Sequence, residues 1–248
     1  MRIPGDLVEQ LARAQHVCVL TGAGISAESG IPTFRGAQQG LWARFRPEEL
    51  ASRAGFEANP RQVWQWYRWR RSIVRRAEPN AGHRALAELA GLVPRLSLVT
   101  QNVDGLHQRA GSTGTIEFHG NLFANACLDD GLPVEGVPDD TDEPPHCPRC
   151  GGWVRPGVVW FGEAIPREAL DASFAAAEAC DVFFAVGTSA LVWPAAGLAE
   201  SARGTGATVV EVNPESTALT RMADHVLAGA AGTVLPELVA ALRNCRNS

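Results

Sequence analysis

The sequence is marked by the residue types that it lacks. It contains no lysine, so arginine supplies all 22 of its basic side chains, and it has one tyrosine and two methionines. The 27 acidic residues outnumber the basic ones, and the net charge of −5 argues against a large nucleic-acid-binding face. We attribute the absence of lysine to genome composition or a hot habitat rather than to function.

Long apolar runs are also missing. No stretch reaches the ~18 apolar residues that a membrane-spanning helix needs. Asp6 and Glu9 interrupt the amino-terminal region where the apolar core of a secretory signal would lie. Six cysteines are too few for a disulfide framework in a chain of 248 residues. These features predict a cytoplasmic protein.

Short apolar runs alternate with helical patterns along the chain. Several of these runs are almost continuously apolar, as strands buried on both faces of a parallel sheet are. The alternation predicts an α/β fold with a doubly wound parallel sheet of the Rossmann type. We expect strands at 16–20, 96–100, 115–118, 158–161, 181–186 and 208–212, and helices at 5–14, 83–92, 168–179, 194–203 and 233–243.

Two stretches interrupt this rhythm. Residues 41–80 are rich in arginine and tryptophan and lack a strand pattern, and residues 121–155 are rich in proline, glycine, aspartate and cysteine. A long loop within a compact domain needs a stabilising element such as a metal ion. We therefore predict a smaller lobe made of a helical insertion (41–80) and a metal-binding module (121–155). Residues 1–40, 81–120 and 156–248 would form the Rossmann-like domain.

Three segments carry chemistry. GAGISAESGIPTFRG (22–36) follows a strand, so its amides could meet a pyrophosphate at a helix start, although its glycines lack the GxGxxG spacing. TQNVDGLHQRAG (100–111) presents an amide and a carboxylate, which an Asx-turn would also explain. EFHGN (117–121) ends a strand, and its His119 is the predicted general base.

Together these segments resemble the motifs of the sirtuin family, and further matches extend the resemblance over nearly the whole chain. It implies a protein-lysine deacylase that consumes NAD, yields nicotinamide and O-acyl-ADP-ribose, and uses His119 as the base. His83 and His107 match family positions and are interpreted as structural. The implied NAD contacts are Gly22, Ala23, Gly24, Ser26, Ala27, Thr33, Phe34, Arg35, Gln101, Asn102, Val103, Asp104, Gly187, Thr188, Ser189, Asn213, Pro214, Glu215 and Ala231.

The resemblance also implies how the substrate is held. VVWFGE (158–163) and GTSALVWPAA (187–196) resemble the segments that bind an acyl-lysine peptide as an added strand, with contacts from Val159, Trp160, Phe161 and Gly162. Tyr67 and Arg70 lie three residues apart on a predicted helix and resemble the YxxR motif of sirtuins that remove succinyl and malonyl groups. This pair implies activity on acidic acyl groups as well as acetyl.

The metal module departs from the family pattern. Sirtuins usually bind a structural zinc ion through two Cys-x-x-Cys pairs. Here Cys147 and Cys150 form one pair, but Cys127 is followed three residues later by Asp130. We expect zinc on the three cysteines, with Asp130, His146 or a water molecule as the fourth ligand.

Three other functions use parts of the same pattern. An ADP-ribosyltransferase would share the NAD site, and a non-catalytic NAD-sensing protein would not need His119, Asn102 and Asp104 together. A nicotinamide-dependent oxidoreductase is disfavoured by the glycine spacing. The expected partners are acylated lysine side chains of proteins, without nucleic acid or membrane, and the oligomeric state is left open.

Overall fold

A six-stranded parallel sheet forms the centre of the protein. The structure is a computed structural model that describes residues 3–32 and 46–247. The strand order is β3-β2-β1-β6-β7-β8, and every neighbouring pair is parallel. The predicted fold class is confirmed. The strands are β1 Val17–Thr21, β2 Leu96–Thr100, β3 Ile116–Glu117, β6 Val182–Val186, β7 Thr208–Asn213 and β8 His225–Ala228.

Helices cover both faces of this sheet. Leu7, Leu86 and Leu238, from three different helices, pack with Val19 on one face, and Leu198 packs on the opposite face. Each such side chain contributes about 1.5–3 kcal/mol when fully buried. The helices are α1 Gly5–Arg13, α2 Ala23–Ala27, α3 Pro47–Leu50, α4 Arg53–Ala58, α5 Pro60–Arg76, α6 Ala81–Ala90, α7 Leu106–Arg109, α8 Arg167–Glu178, α9 Gly197–Gly204 and α10 Ala231–Asn247.

A separate two-stranded antiparallel sheet lies beside α5. It consists of β4 (Gly120–Cys127) and β5 (Val154–Val158), and its apolar residues share a core cluster with Trp66 and Tyr67 of α5. Both strands cross the predicted lobe boundaries, which fall between residues 120 and 121 and between 155 and 156. The division into lobes stays a prediction.

The predicted strand at 158–161 is wrong. The ladder ends at Val158, since the next amides bond elsewhere: Val159 N donates to the His119 carbonyl at 2.9 Å and Phe161 N to the Ala51 carbonyl at 2.9 Å. The apolar run therefore forms a connection between β5 and α8 rather than a strand.

An acidic segment, residues 139–143, docks on α5. Arg68 Nη1 lies 2.6 Å from Asp142 Oδ1, Trp64 Nε1 donates to the Thr141 carbonyl at 3.0 Å, and Arg75 pairs with Asp139. This segment belongs to the predicted metal-binding module, so hydrogen bonds and charge pairs join that module to the helix.

Other predicted elements agree with the structure to within a few residues, and β2 matches its predicted bounds. The strands β4, β5 and β8 were missed. Within residues 3–32 and 46–247, no helix has both the length and the apolar composition needed to cross a lipid bilayer.

Candidate functional site

The candidate site lies where the strand order reverses. β1 and β6 are neighbours, and chain order increases outward from both of them. Such a switch point leaves a crevice beyond the carboxyl ends of the strands, where α/β proteins bind ligands. The predicted NAD-contacting segments lie at such ends: residues 22–27 follow β1, 101–104 follow β2, 187–189 follow β6, and 213–215 begin at the last residue of β7. The structure brings these segments to one edge of the sheet.

Three glycines allow the ends of β1 and β6 to touch. A Cβ atom on Gly22 would lie 2.8 Å from the Gly187 carbonyl oxygen, and one on Gly24 would lie 2.7 Å from the Gly187 Cα. The amides of Gly22 and Gly24 donate to the carbonyls of Val186 and Gly187. These two amides are therefore used within the protein, and they are not available as the pyrophosphate donors that the sequence suggested.

Thr188 joins the loops that follow three strands. Gln101 Nε2 donates to Thr188 Oγ1 at 3.0 Å, and Asn213 Nδ2 donates to the Thr188 carbonyl at 2.9 Å. These bonds fix the floor of the crevice. The other predicted contacts lie around it: Ala23 and Ala27 in α2, Ser189 after β6, the exposed Pro214 and Glu215 after β7, and Ala231 at the start of α10.

Ser26 is fully buried beneath the crevice and joins three of its side chains. Its hydroxyl donates to Asp104 Oδ2 at 2.7 Å and accepts from Asn102 Nδ2 at 3.1 Å. His83 Nε2 lies 3.4 Å from the same oxygen. Ser26 therefore orients Asn102 and Asp104 from below. The resemblance implies Ser26 only as an NAD contact, and that contact stays a prediction.

His83 and His107 are buried side by side, with ring centroids 4.9 Å apart. His83 Nδ1 accepts from the amide of Asn80, so its proton is on Nε2. His107 Nε2 contacts Thr21 Oγ1 at 2.9 Å. Because the Thr21 hydroxyl donates to Thr100, His107 Nε2 must be the donor. Burial lowers the pKa of His83 to about 4 and that of His107 to about 3, so both rings are neutral at physiological pH.

Asp104 lies at the junction of the buried network and the crevice. Its Oδ1 accepts from the Leu106 amide at 2.9 Å, and Ser26 donates to its Oδ2. Burial raises the pKa of Asp104, while these hydrogen bonds and the charges of Arg70 and Arg109 act in the opposite direction. The carboxylate thus has enough donors to be held in one orientation. The neighbouring Val103 packs against the core cluster of α5.

His119 lies between the crevice and the predicted substrate segment. Its ring Nδ1 is 3.1 Å from the Gln101 carbonyl oxygen, which can only accept, so Nδ1 carries the proton and Nε2 keeps a free lone pair. The His119 carbonyl in turn accepts from Val159 N at 2.9 Å. Burial lowers the pKa of His119, and the bond to Gln101 partly offsets this effect. A neutral ring with an unprotonated Nε2 has the state that a general base requires.

Tyr67 and Arg70 lie on the same side of α5. Tyr67 is buried, and the Arg70 guanidinium carbon lies 5.8 Å from the Tyr67 ring centroid and 4.9 Å from that of Trp66. Within the described part of the chain, Arg70 donates no side-chain hydrogen bond and has no carboxylate within ion-pair distance. Its charge opposes the rise that burial causes in the pKa of Asp104.

The residues of the predicted substrate segment differ in their burial and in their contacts. Trp160 is buried, and its Nε1 donates to Tyr67 Oη at 2.8 Å. Phe161 is 49% exposed, and Gly162 has a φ of +85°, which suits glycine. Because the amides of Val159, Trp160 and Phe161 already donate within the protein, an added peptide strand would need other main-chain groups.

Three cysteines cluster where the end of β4 meets the turn before β5. The Sγ atoms of Cys127, Cys147 and Cys150 lie within 4.8 Å of one another, a spacing that fits shared coordination of one metal ion. Three thiolates at this separation suit zinc, whose Zn–S distance is about 2.3 Å.

Two chain turns carry these cysteines and repeat the same geometry. In the first, the Gly131 amide donates to the Cys127 carbonyl at 3.0 Å; in the second, the Gly151 amide donates to the Cys147 carbonyl at 2.8 Å. Both glycines have positive φ, +71° and +78°. Asp130 in the first turn thus occupies the position that Cys150 holds in the second.

The hydrogen bonds beyond each turn also correspond. The Leu132 amide donates to Asp130 Oδ1 at 2.9 Å, and the Gly152 amide donates to Cys150 Sγ at 3.4 Å. Asp130 also pairs with Arg149 at 3.3 Å. The other fourth-ligand candidate, His146, points elsewhere: its Nδ1 contacts the Gly151 carbonyl at 2.8 Å, and its ring stacks on Trp153.

A family model described as "Sir2 family" matches residues 22–194. This chain belongs to the Sir2 family. A relative from Methylococcus capsulatus, named NAD-dependent protein deacylase, is 52% identical over an alignment of 254 residues. The alignment covers 99% of this chain and 100% of the relative.

Solved Sir2 structures share the fold. One, a Sir2 homolog–NAD complex, has 45% identity and a TM-score of 0.90, and the match covers 98% of this chain and 95% of that one. Another is Sir2Af2 bound to a myristoylated histone peptide, with 37% identity, a TM-score of 0.79 and coverage of 98% and 97%.

The roles of individual residues in this sirtuin stay predictions. Thr33, Phe34 and Arg35 lie outside the described residues. The sequence missed the contribution of Ser26 as a junction and the bond between Trp160 and Tyr67. No sequence pattern signals either contact, since the partners lie 78 and 93 residues apart.

The two neutral histidines predict how stability changes with pH. Their pKa values are near 6.5 when unfolded and about 4 and 3 when folded, so the unfolded chain binds more protons below pH 6.5. Stability should be complete above pH 6.5 and fall by about 1.4 kcal/mol per pH unit for each histidine below ~pH 6. Urea unfolding at pH 7, 6 and 5 measures this loss.

The variant His107→Gln provides the check. It removes one of the groups that take up a proton only on unfolding, so the slope should decrease by about 1.4 kcal/mol per pH unit. An unchanged slope would show that the His107 ring does not contribute to acid stability.

Proposed function

We propose that this chain is an NAD-dependent protein-lysine deacylase that transfers the acyl group to ADP-ribose and releases nicotinamide. The observation that carries the proposal is the state of His119. Its Nδ1–H is held by the Gln101 carbonyl, and its unprotonated Nε2 lies between the crevice and the substrate segment. The name of the Methylococcus relative and the NAD complex of a Sir2 homolog support it.

In the proposed reaction, the acyl oxygen of the modified lysine displaces nicotinamide from the ribose of NAD. Asn102 and Asp104 would orient the ribose and the carboxamide, because Ser26 fixes both side chains from below. His119 Nε2 would then take a proton from a ribose hydroxyl, which attacks the former acyl carbon. Water completes the release of free lysine. A cytoplasmic location for this activity stays a prediction.

The base is tested by the pH dependence of activity. Burial places the pKa of His119 below 6.5, so kcat/KM should stay constant from pH 8 to 6.5 and fall only at lower pH, as the ring becomes protonated. The variant His119→Ala should lose ~10²–10⁴-fold in kcat, the usual contribution of a general base. Mass spectrometry of acetyl-lysine peptides incubated with NAD measures both effects.

A matched control is His225→Ala, at the edge of the sheet, which should retain normal activity. Full activity of the His119 variant would refute the assignment. Transfer of the adenylate half of NAD onto protein, without deacylation, would instead indicate an ADP-ribosyltransferase.

We further propose that the acyl pocket accepts succinyl and malonyl groups in addition to acetyl. An arginine without a carboxylate partner in partly buried surroundings is costly, and a carboxylate on the substrate would remove that cost. Arg70 is in this situation within residues 3–32 and 46–247, and the phenol of Tyr67 lies beside it. A planar guanidinium can donate two parallel hydrogen bonds to a carboxylate.

The variant Arg70→Met tests this selectivity. It retains much of the side-chain volume and removes the charge, so the ratio of desuccinylation to deacetylation should fall by about 30-fold, as expected when a buried charge pair worth ~2 kcal/mol is broken. Steady-state kcat/KM on matched succinyl and acetyl peptides measures the ratio.

Arg68→Met is the control for this variant. Arg68 lies on the same helix but pairs with Asp142 of the acidic segment, so its loss should leave the ratio unchanged. If Arg70→Met also left the ratio unchanged, the acyl pocket would not recognise a carboxylate through this residue.

We propose that the metal ion is zinc, held by Cys127, Cys147, Cys150 and Asp130. The two turns have the same geometry, which supports Asp130 as the fourth ligand because it occupies the position of Cys150. Zinc accepts carboxylate oxygen as well as thiolate. Asp129 is the alternative oxygen ligand, since its Oδ2 lies 3.7 Å from Cys150 Sγ. Zinc here would be structural, joining β4 to the turn before β5.

Zinc retention under a chelator distinguishes the two aspartates. Asp130→Ala should lose zinc more than tenfold faster than the wild-type protein, Asp130→Cys should retain it at least as well, and Asp129→Ala should change retention little. The reverse order for the two alanine variants would assign the site to Asp129. An intact fold with no zinc in the purified protein would contradict the proposal.

A further inference from the structure

The contact between Trp160 and Tyr67 has a defined direction. An indole N–H can only donate, so the 2.8 Å contact makes the Tyr67 oxygen the acceptor. Tyr67 is the only tyrosine of the chain, and it is 1% exposed. Within the described residues its hydroxyl makes no second hydrogen bond. Its proton is therefore available for an acceptor that the described chain does not supply.

The accepted bond restricts where that proton can point. With one lone pair of the oxygen occupied by Trp160, the O–H bond must turn away from the indole. Arg70 lies on the same helix, and its guanidinium carbon is 5.8 Å from the Tyr67 ring centroid. Burial raises the pKa of Tyr67, so the phenol keeps its proton at neutral pH. The result is a neutral donor beside a cation, which suits a carboxylate.

Trp160 is itself held by three neighbours. Its amide donates to Glu163 Oε2 at 2.9 Å, and the Arg155 guanidinium carbon lies 3.4 Å from the indole centroid. Arg155 also pairs with Glu163, and the ring of Phe56 packs on the indole with centroids 5.4 Å apart. The cation over the face is attracted by the ring quadrupole. These contacts hold the indole in place with its N–H directed at Tyr67.

We propose that Trp160 is a positioning residue for acyl selectivity: its indole N–H directs the Tyr67 hydroxyl towards the carboxylate of an acidic acyl group on the substrate lysine. This inference rests on the proposed deacylase function and adds a residue that acts through Tyr67. An acetyl group offers no second acceptor, so the directed hydroxyl benefits acidic acyl groups alone.

The test measures the ratio of kcat/KM for succinyl-lysine to that for acetyl-lysine on one peptide sequence. Trp160→Phe removes the N–H and keeps an aromatic ring, and it should lower this ratio about fivefold, the usual effect of one hydrogen bond, mainly through KM for the succinyl peptide. Trp64→Phe is the matched control. It removes another indole N–H bond of the same lobe, to the Thr141 carbonyl, and should leave the ratio unchanged.

A double-mutant cycle separates positioning from packing. If Trp160 acts through the Tyr67 hydroxyl, Trp160→Phe should have no further effect on the ratio once Tyr67→Phe is present. An equal drop in both backgrounds would overturn the proposal, and so would an unchanged ratio in folded Trp160→Phe protein.

The test also covers a variant that does not fold and a wild-type protein that acts on fewer peptides than expected. If Trp160→Phe does not fold, benzothienylalanine at position 160 retains the ring shape without the N–H, and the same fall in the ratio is expected. If the wild-type protein deacylates neither peptide, the proposed function fails rather than the role of Trp160. If it deacylates only the acetyl peptide, the function stands and this inference is overturned.

Discussion

The rest of the site depends on the contact between the ends of β1 and β6. Gly22 and Gly24 lie so close to Gly187 that a single added Cβ atom would meet backbone at 2.7–2.8 Å. This approach joins the two halves of the sheet at the switch point, and it brings Thr188 within reach of the loops that follow β2 and β7. The three glycines therefore allow the ends of β1 and β6 to pack closely, and the crevice results from that packing.

Beneath the crevice, the protein buries polar groups and gives nearly all of them partners. Ser26 takes part in bonds with Asn102, Asp104 and His83, and the rings of His83 and His107 are neutral at physiological pH, so they bury no charge here. A buried network is stabilising only when its members are satisfied. One atom, His107 Nδ1, has no partner among the described residues. The network holds Asn102 and Asp104, which face the crevice, in fixed orientations.

Local sequence patterns predicted the parallel sheet well, because buried strands such as β2 appear as short apolar runs between helical patterns. The same reasoning placed a strand at 158–161, since Val159, Trp160 and Phe161 are apolar. Their amides instead bond to the segments around them, and apolar character alone cannot show which partner an amide chooses. The resemblance to sirtuins named the residues that are predicted for the site, and their roles stay predictions. It could not show the hydrogen bonds from Ser26 to Asp104 and from Trp160 to Tyr67, because such contacts depend on tertiary structure.

Two arginines around the smaller sheet, Arg71 and Arg155, each make several contacts at once. The buried Arg71 donates from Nε to the Leu122 carbonyl at 2.7 Å and from Nη2 to Asn125 at 2.8 Å, while Arg155 stacks on Trp160 and pairs with Glu163. Each of these arginines uses several donors of one planar group at once, which a single ammonium could not reproduce. Arg70 lies over the rings of Trp66 and Tyr67, but it has no side-chain hydrogen bond or carboxylate partner in the described chain. This difference from Arg71 and Arg155 supports the proposal that Arg70 pairs with an acidic acyl group of the substrate.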